Sequence, residues 1–278
     1  MAEHGLPALF TLFIWWFSTG IILYLDGLRR ETYRWTMLGA TILLVAALAG
    51  LHASAWDLTT RGAYLGFLGG LLVWAWIEMA FLTGLVTGPR RTACPPGATG
   101  WPRLRAALAA VLWHELAIIA GAACIALATW DAPNRIGLWT FLAFWIMRQS
   151  AKLNVYLGVR NLAESFLPDH LRYLESFFRR RRMNALLPFS VVAGILACGL
   201  LVQQAIAPDA SPHEVTGYTL LATLVALGLI EHIFMVMPVP ADALWRWGLA
   251  SRKEKPVRDR IGCEPTHCRP VPATGGPR

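Results

Sequence analysis

The chain has 278 residues, of which 56% are hydrophobic and only 15% charged, with a positive mean hydropathy of +0.47. That balance excludes a soluble domain of this size. A net charge of +8 suits nucleic acid in principle, but the basic residues sit in short loops beside apolar runs, where they orient a membrane chain and meet anionic headgroups.

In chain order, apolar runs span about 6–25, 36–55, 63–87, 104–129, 137–157, 184–207 and 215–237. Each can cross a hydrocarbon layer of ~30 Å, which takes about 20 residues. The predicted fold is therefore all-α, a polytopic membrane protein with seven transmembrane helices in one domain over 1–251. The first run lacks a basic n-region, is followed by its charges, and reads as a span instead of a cleaved signal peptide. The stretch Gly88–Arg103 is dense in Pro, Gly and Arg, which predicts ordered turns.

Between the fifth and sixth runs, Pro168 and Asp169 suit a helix start. Leu171, Leu174, Phe177 and Phe178 form one apolar stripe, followed by Arg179, Arg180, Arg181 and Arg182. This predicts a short amphipathic helix over about 168–182, lying in the plane of the inner membrane surface with its stripe in lipid. Residues 252–278 are polar, Pro-rich and free of aromatics, a composition that predicts a disordered tail.

Counting Lys and Arg by loop sets the orientation. One side of the membrane holds 21 of the 25, and the other holds only Arg61 and Arg135. Basic loops stay cytoplasmic, which places the N-terminus in the periplasm and the C-terminus in the cytoplasm. Trp56, Trp130 and Trp139 then fall near the outer boundary, and Trp35, Trp101, Trp245 and Trp247 near the inner one, as interfacial belts do. Trp15, Trp16, Trp74, Trp76 and Trp145 lie deeper, where an indole N–H needs a partner. The five cysteines form no disulfide framework. Cys263, His267 and Cys268 give three zinc-type ligands where a closed site takes four, a weak signal whose role stays open. His4, His52 and His213 read as surface histidines at the outer face. No internal repeat or broken helix points to solute transport.

The ionisable groups inside the runs carry the functional information. Glu78, His114, Glu115, Arg148, Lys152, Glu231 and His232 all fall in one slab, roughly 8 to 15 Å above the inner boundary at 1.5 Å per residue. Three readings fit this polar cluster. In the first, Glu78, Glu115 and Glu231 are neutralised by Arg148 and Lys152 and hold the spans together. In the second, Glu78, His114, Glu115, Glu231 and His232 ligate a metal. The adjacent pairs His114–Glu115 and Glu231–His232 point about 100° apart on a helix, which argues against one shared centre. In the third, His114 or His232 is the axial ligand of a tetrapyrrole, with the small residues Ala110 and Gly228, one turn earlier, allowing close approach.

Several segments resemble the PuhE-type photosynthetic complex assembly family of purple phototrophic bacteria. They include WWFSTG at 15–20, LDGLRR at 25–30, EMAFLTGLVTGPRR at 78–91, CPPGA at 94–98 and HEL at 114–116. AKLNVYLGVRN at 151–161, FLPDHLRYLESFFRRR at 166–181 and ALWRWGL at 243–249 extend the likeness from about residue 6 to 252. The resemblance implies an accessory factor, located in the bacterial inner (intracytoplasmic) membrane, that builds the reaction centre and core antenna and adjusts bacteriochlorophyll supply. Its implied partners are the bilayer and reaction-centre or antenna subunits or other assembly factors, not nucleic acid. It carries over no catalytic residues, so catalysis stays open. Bacteriochlorophyll or a precursor is the implied candidate cofactor, with Glu78 as a hydrogen-bond or charge partner. The rivals are an intramembrane metalloenzyme acting on a lipid-soluble or tetrapyrrole substrate, and a purely structural scaffold.

Overall fold

The computed structural model describes residues 2–237 and 241–252. Among them are seven α-helices: α1 (Ala2–Gly27), α2 (Tyr33–Ala53), α3 (Thr60–Leu82), α4 (Gly100–Ala128), α5 (Ile136–Leu157), α6 (Leu186–Ala205) and α7 (Pro212–Phe234). Six of these are long and apolar enough to cross a membrane, and α5 is not among the six. The physical reason is local: Arg148, Gln149, Ser150, Lys152 and Asn154 dilute the apolar content of its second half.

α3 and α7 are the most buried helices and form the centre of the bundle. α3 packs between α2, α5 and α7, while α1 and α6 lie against α7. Small residues set the closest of these approaches. A Cβ at Gly70 would lie 2.3 Å from the Gly137 carbonyl oxygen, so only glycine lets α3 and α5 meet there. The α3–α5 contact continues into a core of Val73, Trp74, Ile77 and Phe141, joined by Ile118 from α4.

Two buried asparagines fix helix starts at opposite ends of the bundle. Asn134 accepts from the Ile136 amide at the head of α5 and donates to the Ser54 and Gly62 carbonyls. Asn184 accepts from the Leu186 and Leu187 amides of α6 and donates to the Asn154 and Gly158 carbonyls. Each satisfies orphan helix-end amides and ties a loop to a neighbour. At the head of α7, Ser211 and Glu214 form a capping box.

α3 stops at Leu82, five residues short of the predicted end at 87. The apolar run FLTGLVTG continues past it, but Gly84 adopts φ +79 and turns the chain. The segment that follows lies along α4, where Arg90 donates its amide to the Ala109 carbonyl.

The predicted in-plane helix also takes a different form. Asp169–Phe177 is a 3-10 helix, and the chain is extended from Phe178. The Arg179 amide donates to the Val155 carbonyl, and Val159 exchanges bonds with Arg179 and Arg181, so the arginine run continues an irregular pairing instead of a helix. Leu171, Leu174 and Phe177 are buried against Phe81, Leu82 and Ala110, with Phe178 partly buried beside them. The stripe thus faces protein, not lipid. Arg180, Arg181 and Arg182 stay exposed, Arg179 partly so. Arg180 forks onto both oxygens of Glu164.

Residues 241–252 fold back onto α1. The Trp245 indole donates to the Trp16 carbonyl, and the Trp16 indole donates to the Leu244 carbonyl. Gly20 and Gly248 face each other, and Trp247 covers Gly20. Arg252 ends the segment on Asp26, at 2.6 Å. The packing against α1 therefore runs to Arg252, one residue into the predicted tail. Residues 253–278, with Cys263, His267 and Cys268, lie outside the described residues.

Candidate functional site

The polar residues inside the helices divide into four contacts instead of one centre. The first joins three helices. On α3, Glu78 has Oε2 3.1 Å from Arg148 Nη2 of α5 and Oε1 3.7 Å from His114 Nε2 of α4. His114 is fully buried, with its ring 4.5 Å from that of Phe81. Neither ring nitrogen of His114 nor Glu78 Oε1 has a hydrogen-bond partner. At 3.7 Å the His114–Glu78 contact is electrostatic and falls short of a hydrogen bond.

The second contact joins α4 and α5. Lys152 Nζ lies 2.7 Å from Glu115 Oε1, and Gln149 donates to the other Glu115 oxygen. His114 and Glu115 are adjacent, and the helix turns them toward different partners. The third joins α1 and α7: the Trp15 indole donates to Glu231 Oε1 at 3.0 Å. The fourth is a chain of hydrogen-bonding groups without a carboxylate. His232 Nδ1 sits 2.8 Å from the Gly228 carbonyl, which can only accept, so Nδ1 carries the proton. Nε2, on the other side of the ring, sits 2.8 Å from the Ser150 hydroxyl. Asn154, fully buried, extends the chain to Ser190 of α6.

These four contacts dismantle the metal arrangement considered from the sequence. Glu115, Glu231 and His232 each have separate partners, and only Glu78 and His114 meet. Among the described residues no group of three His, Cys, Asp or Glu side chains is placed to hold a metal ion.

The space reserved for a macrocycle is filled from within. Beside Ala110, the chain's own backbone makes the close approach: a Cβ on Gly88 would lie 2.2 Å from the Ala109 carbonyl, and the His114 amide donates to the Thr87 carbonyl. At Gly228 the Met147 side chain occupies the groove, 2.5 Å from where a Cβ would stand. His232 has both nitrogens engaged. His114 has neither nitrogen hydrogen-bonded, but its ring is fully buried and lies against that of Phe81.

Several polar residues escaped the sequence reading. Arg103, counted above as a loop charge, is buried. It donates to the Tyr156 and Phe177 carbonyls at 3.2 and 2.6 Å and stacks over the Tyr156 ring at 3.9 Å. Asp26 and Arg252 are paired across the sequence, and nothing local in either segment marks the other. Asn154 was legible only as a polar residue at helical spacing from Ser150. Of the outer histidines, His4 contacts Thr219, His52 contacts the Ala128 carbonyl, and His213 is buried at the start of α7, not on the surface. Among the deep tryptophans, Trp76 donates to Thr41, and Trp74 stacks on Phe144.

Over 272 residues the chain is 40% identical to a Rhodobacter capsulatus protein named "Uncharacterized 30.4 kDa protein in puhA 5'region", covering 94% of this chain and 98% of that protein. That name hints at a photosynthesis-related gene neighbourhood. No solved structure matches. The family described as "Protein of unknown function (DUF3623)" matches residues 1–256. The chain belongs to the DUF3623 family.

Proposed function

We propose that this chain is a multi-pass inner-membrane accessory factor for assembling the photosynthetic reaction centre and its core antenna, as its PuhE-type resemblance implies. The observation that carries the reading is near-full-length similarity to a protein whose name places it beside puhA. The geometry supports an assembly role over catalysis, because Glu78 and Glu115 are each engaged by a cation of α5 and Glu231 by an indole. Glu78–Arg148, Glu115–Lys152 and Glu231–Trp15 link α1, α3, α4, α5 and α7. α5 is the seventh span in this reading. Its cations turn toward carboxylates on α3 and α4, while Trp139, Ile146 and Leu153, seven residues apart, stay on its outer face.

The test uses Rhodobacter capsulatus with the relative's gene deleted. Near-infrared absorbance of the reaction centre and core antenna should fall and should return when this chain is supplied. Unchanged absorbance after deletion would overturn the proposal.

A second reading, binding of bacteriochlorophyll or a precursor at His114, is favoured by one observation: both its ring nitrogens lack hydrogen-bond partners. Coordination there requires the packing around the fully buried ring to open. Wild-type protein purified from a pigmented host should then show Soret and Qy bands, and His114→Leu should lose them at unchanged protein level. A wild-type preparation free of pigment ends this reading.

A further inference from the structure

A small half-open pocket of about 190 Å³ lies at the end of α3, outside the four contacts above. Thr83 and Gly84 come from the turn after α3, Arg30 from the turn before α2, and His170 and Tyr173 from the 3-10 helix. Arg91 and Thr87 complete the wall. Two guanidinium groups, an imidazole and three hydroxyls are thus gathered from three separate segments, and no carboxylate lines the pocket. Neither Arg30 nor Arg91 takes part in an ion pair among the described residues. Gly84 holds the wall in place: a Cβ there would press on the His170 ring at 3.1 Å, and its φ of +79 disfavours any other residue.

Hydroxyl chemistry points the same way. Thr87 Oγ1 and Tyr173 Oη are buried neighbours, and neither has a well-formed hydrogen bond to the rest of the chain. Burial pushes the Tyr173 phenol above its usual range, partly offset by the Thr87 hydroxyl and the Arg91 charge, so it remains a donor at neutral pH. A volume below the roughly 300 Å³ of typical small-molecule sites excludes a tetrapyrrole and suits a single compact anion. Tetrahedral oxyanions match forked guanidinium donors backed by hydroxyls.

We propose that this pocket binds a phosphate group, held by Arg30 and Arg91 and hydrogen-bonded by Thr87 and Tyr173. Its place at the end of an apolar helix, on the side rich in basic loops, puts it at headgroup level. The phosphate can therefore come from an anionic phospholipid or from a soluble phosphate ester, and neither source depends on the assembly role proposed above.

The experiment uses full-length protein. In detergent it is titrated with inorganic phosphate and with glycerol 3-phosphate. In nanodiscs, phosphatidylcholine with and without phosphatidylglycerol is compared. Thermal unfolding is the readout throughout. A rise in midpoint with the soluble probes identifies a free phosphate ester, and a rise only with phosphatidylglycerol identifies the lipid. In either case Arg30→Gln with Arg91→Gln should weaken apparent affinity about tenfold or more per guanidinium, and Tyr173→Phe by a few-fold. If the double variant does not accumulate, Arg91→Gln alone serves, because that side chain is exposed and holds no other element. No shift with any probe, or equal shifts in wild type and the arginine variants, overturns the proposal.

Discussion

Lys152 of α5 and Glu115 of α4 face each other at 2.7 Å, both largely shielded, with Gln149 supporting the same carboxylate. Removing one partner of such a pair strands a charge in a poor solvent, whereas removing both does not. Lys152→Met should lower stability by about 3 kcal/mol. The double variant Lys152→Met with Glu115→Leu should recover much of that loss. Unfolding midpoints of the purified variants check it; a double variant as unstable as the sum of the singles would mean the pair is not coupled.

Arg252 bonds to Asp26 and to the Ser165 and Phe166 carbonyls, so it clips α1 to the loop after α5. Truncation after Arg252 should leave accumulation near normal. Truncation after Ser251, one residue shorter, leaves the buried Asp26 unpaired at a cost of about 3–5 kcal/mol. Immunoblots of the two truncations should differ sharply, and Asp26→Asn should narrow the gap.

Leu171, Leu174 and Phe177 lie in a protein core, and truncating them should behave accordingly. Each change to Ala should cost about 2–5 kcal/mol, independent of lipid composition. A stripe resting in lipid would instead tolerate these changes and show sensitivity to anionic lipid. Melting curves in neutral and anionic nanodiscs distinguish the two.

The orientation argued from 21 of 25 basic residues on one side gives a direct topology test. A reporter fused after Arg252 should be active in the cytoplasm, and one before Leu6 in the periplasm. A periplasmic signal from the fusion after Arg252 would invert the bundle and move the phosphate pocket to the other leaflet.

The helices were legible because a membrane imposes one length on every span, and hydropathy reads that length directly. Their ends were less so. FLTGLVTG is apolar throughout, and only the left-handed Gly84 ends α3 within it. Depth along the spans was also readable, since it needs only residue counts. Azimuth was not: depth placed Glu78, Glu115, Arg148 and Lys152 together but did not say which carboxylate takes which cation. The same gap made Ala110 and Gly228 look like room for a ligand. A small side chain marks a close approach without naming what approaches, and here Thr87–Gly88 and Met147 do. The Leu171–Phe177 stripe likewise declared one apolar face, and composition does not separate a protein surface from a lipid one.

The seating of α1 has a consequence in time. Trp15 meets Glu231, Asp26 meets Arg252 and Trp16 meets Trp245, partners 216, 226 and 229 residues further along the chain. Of the described helices, α1 is made first and satisfied last. Throughout synthesis of the six helices that follow, its indole and its acid wait without these partners. A polypeptide halted before residue 252 leaves Asp26 without the cation it meets in the finished fold. The pair that seats the end of α1 can form only once Arg252 has been made.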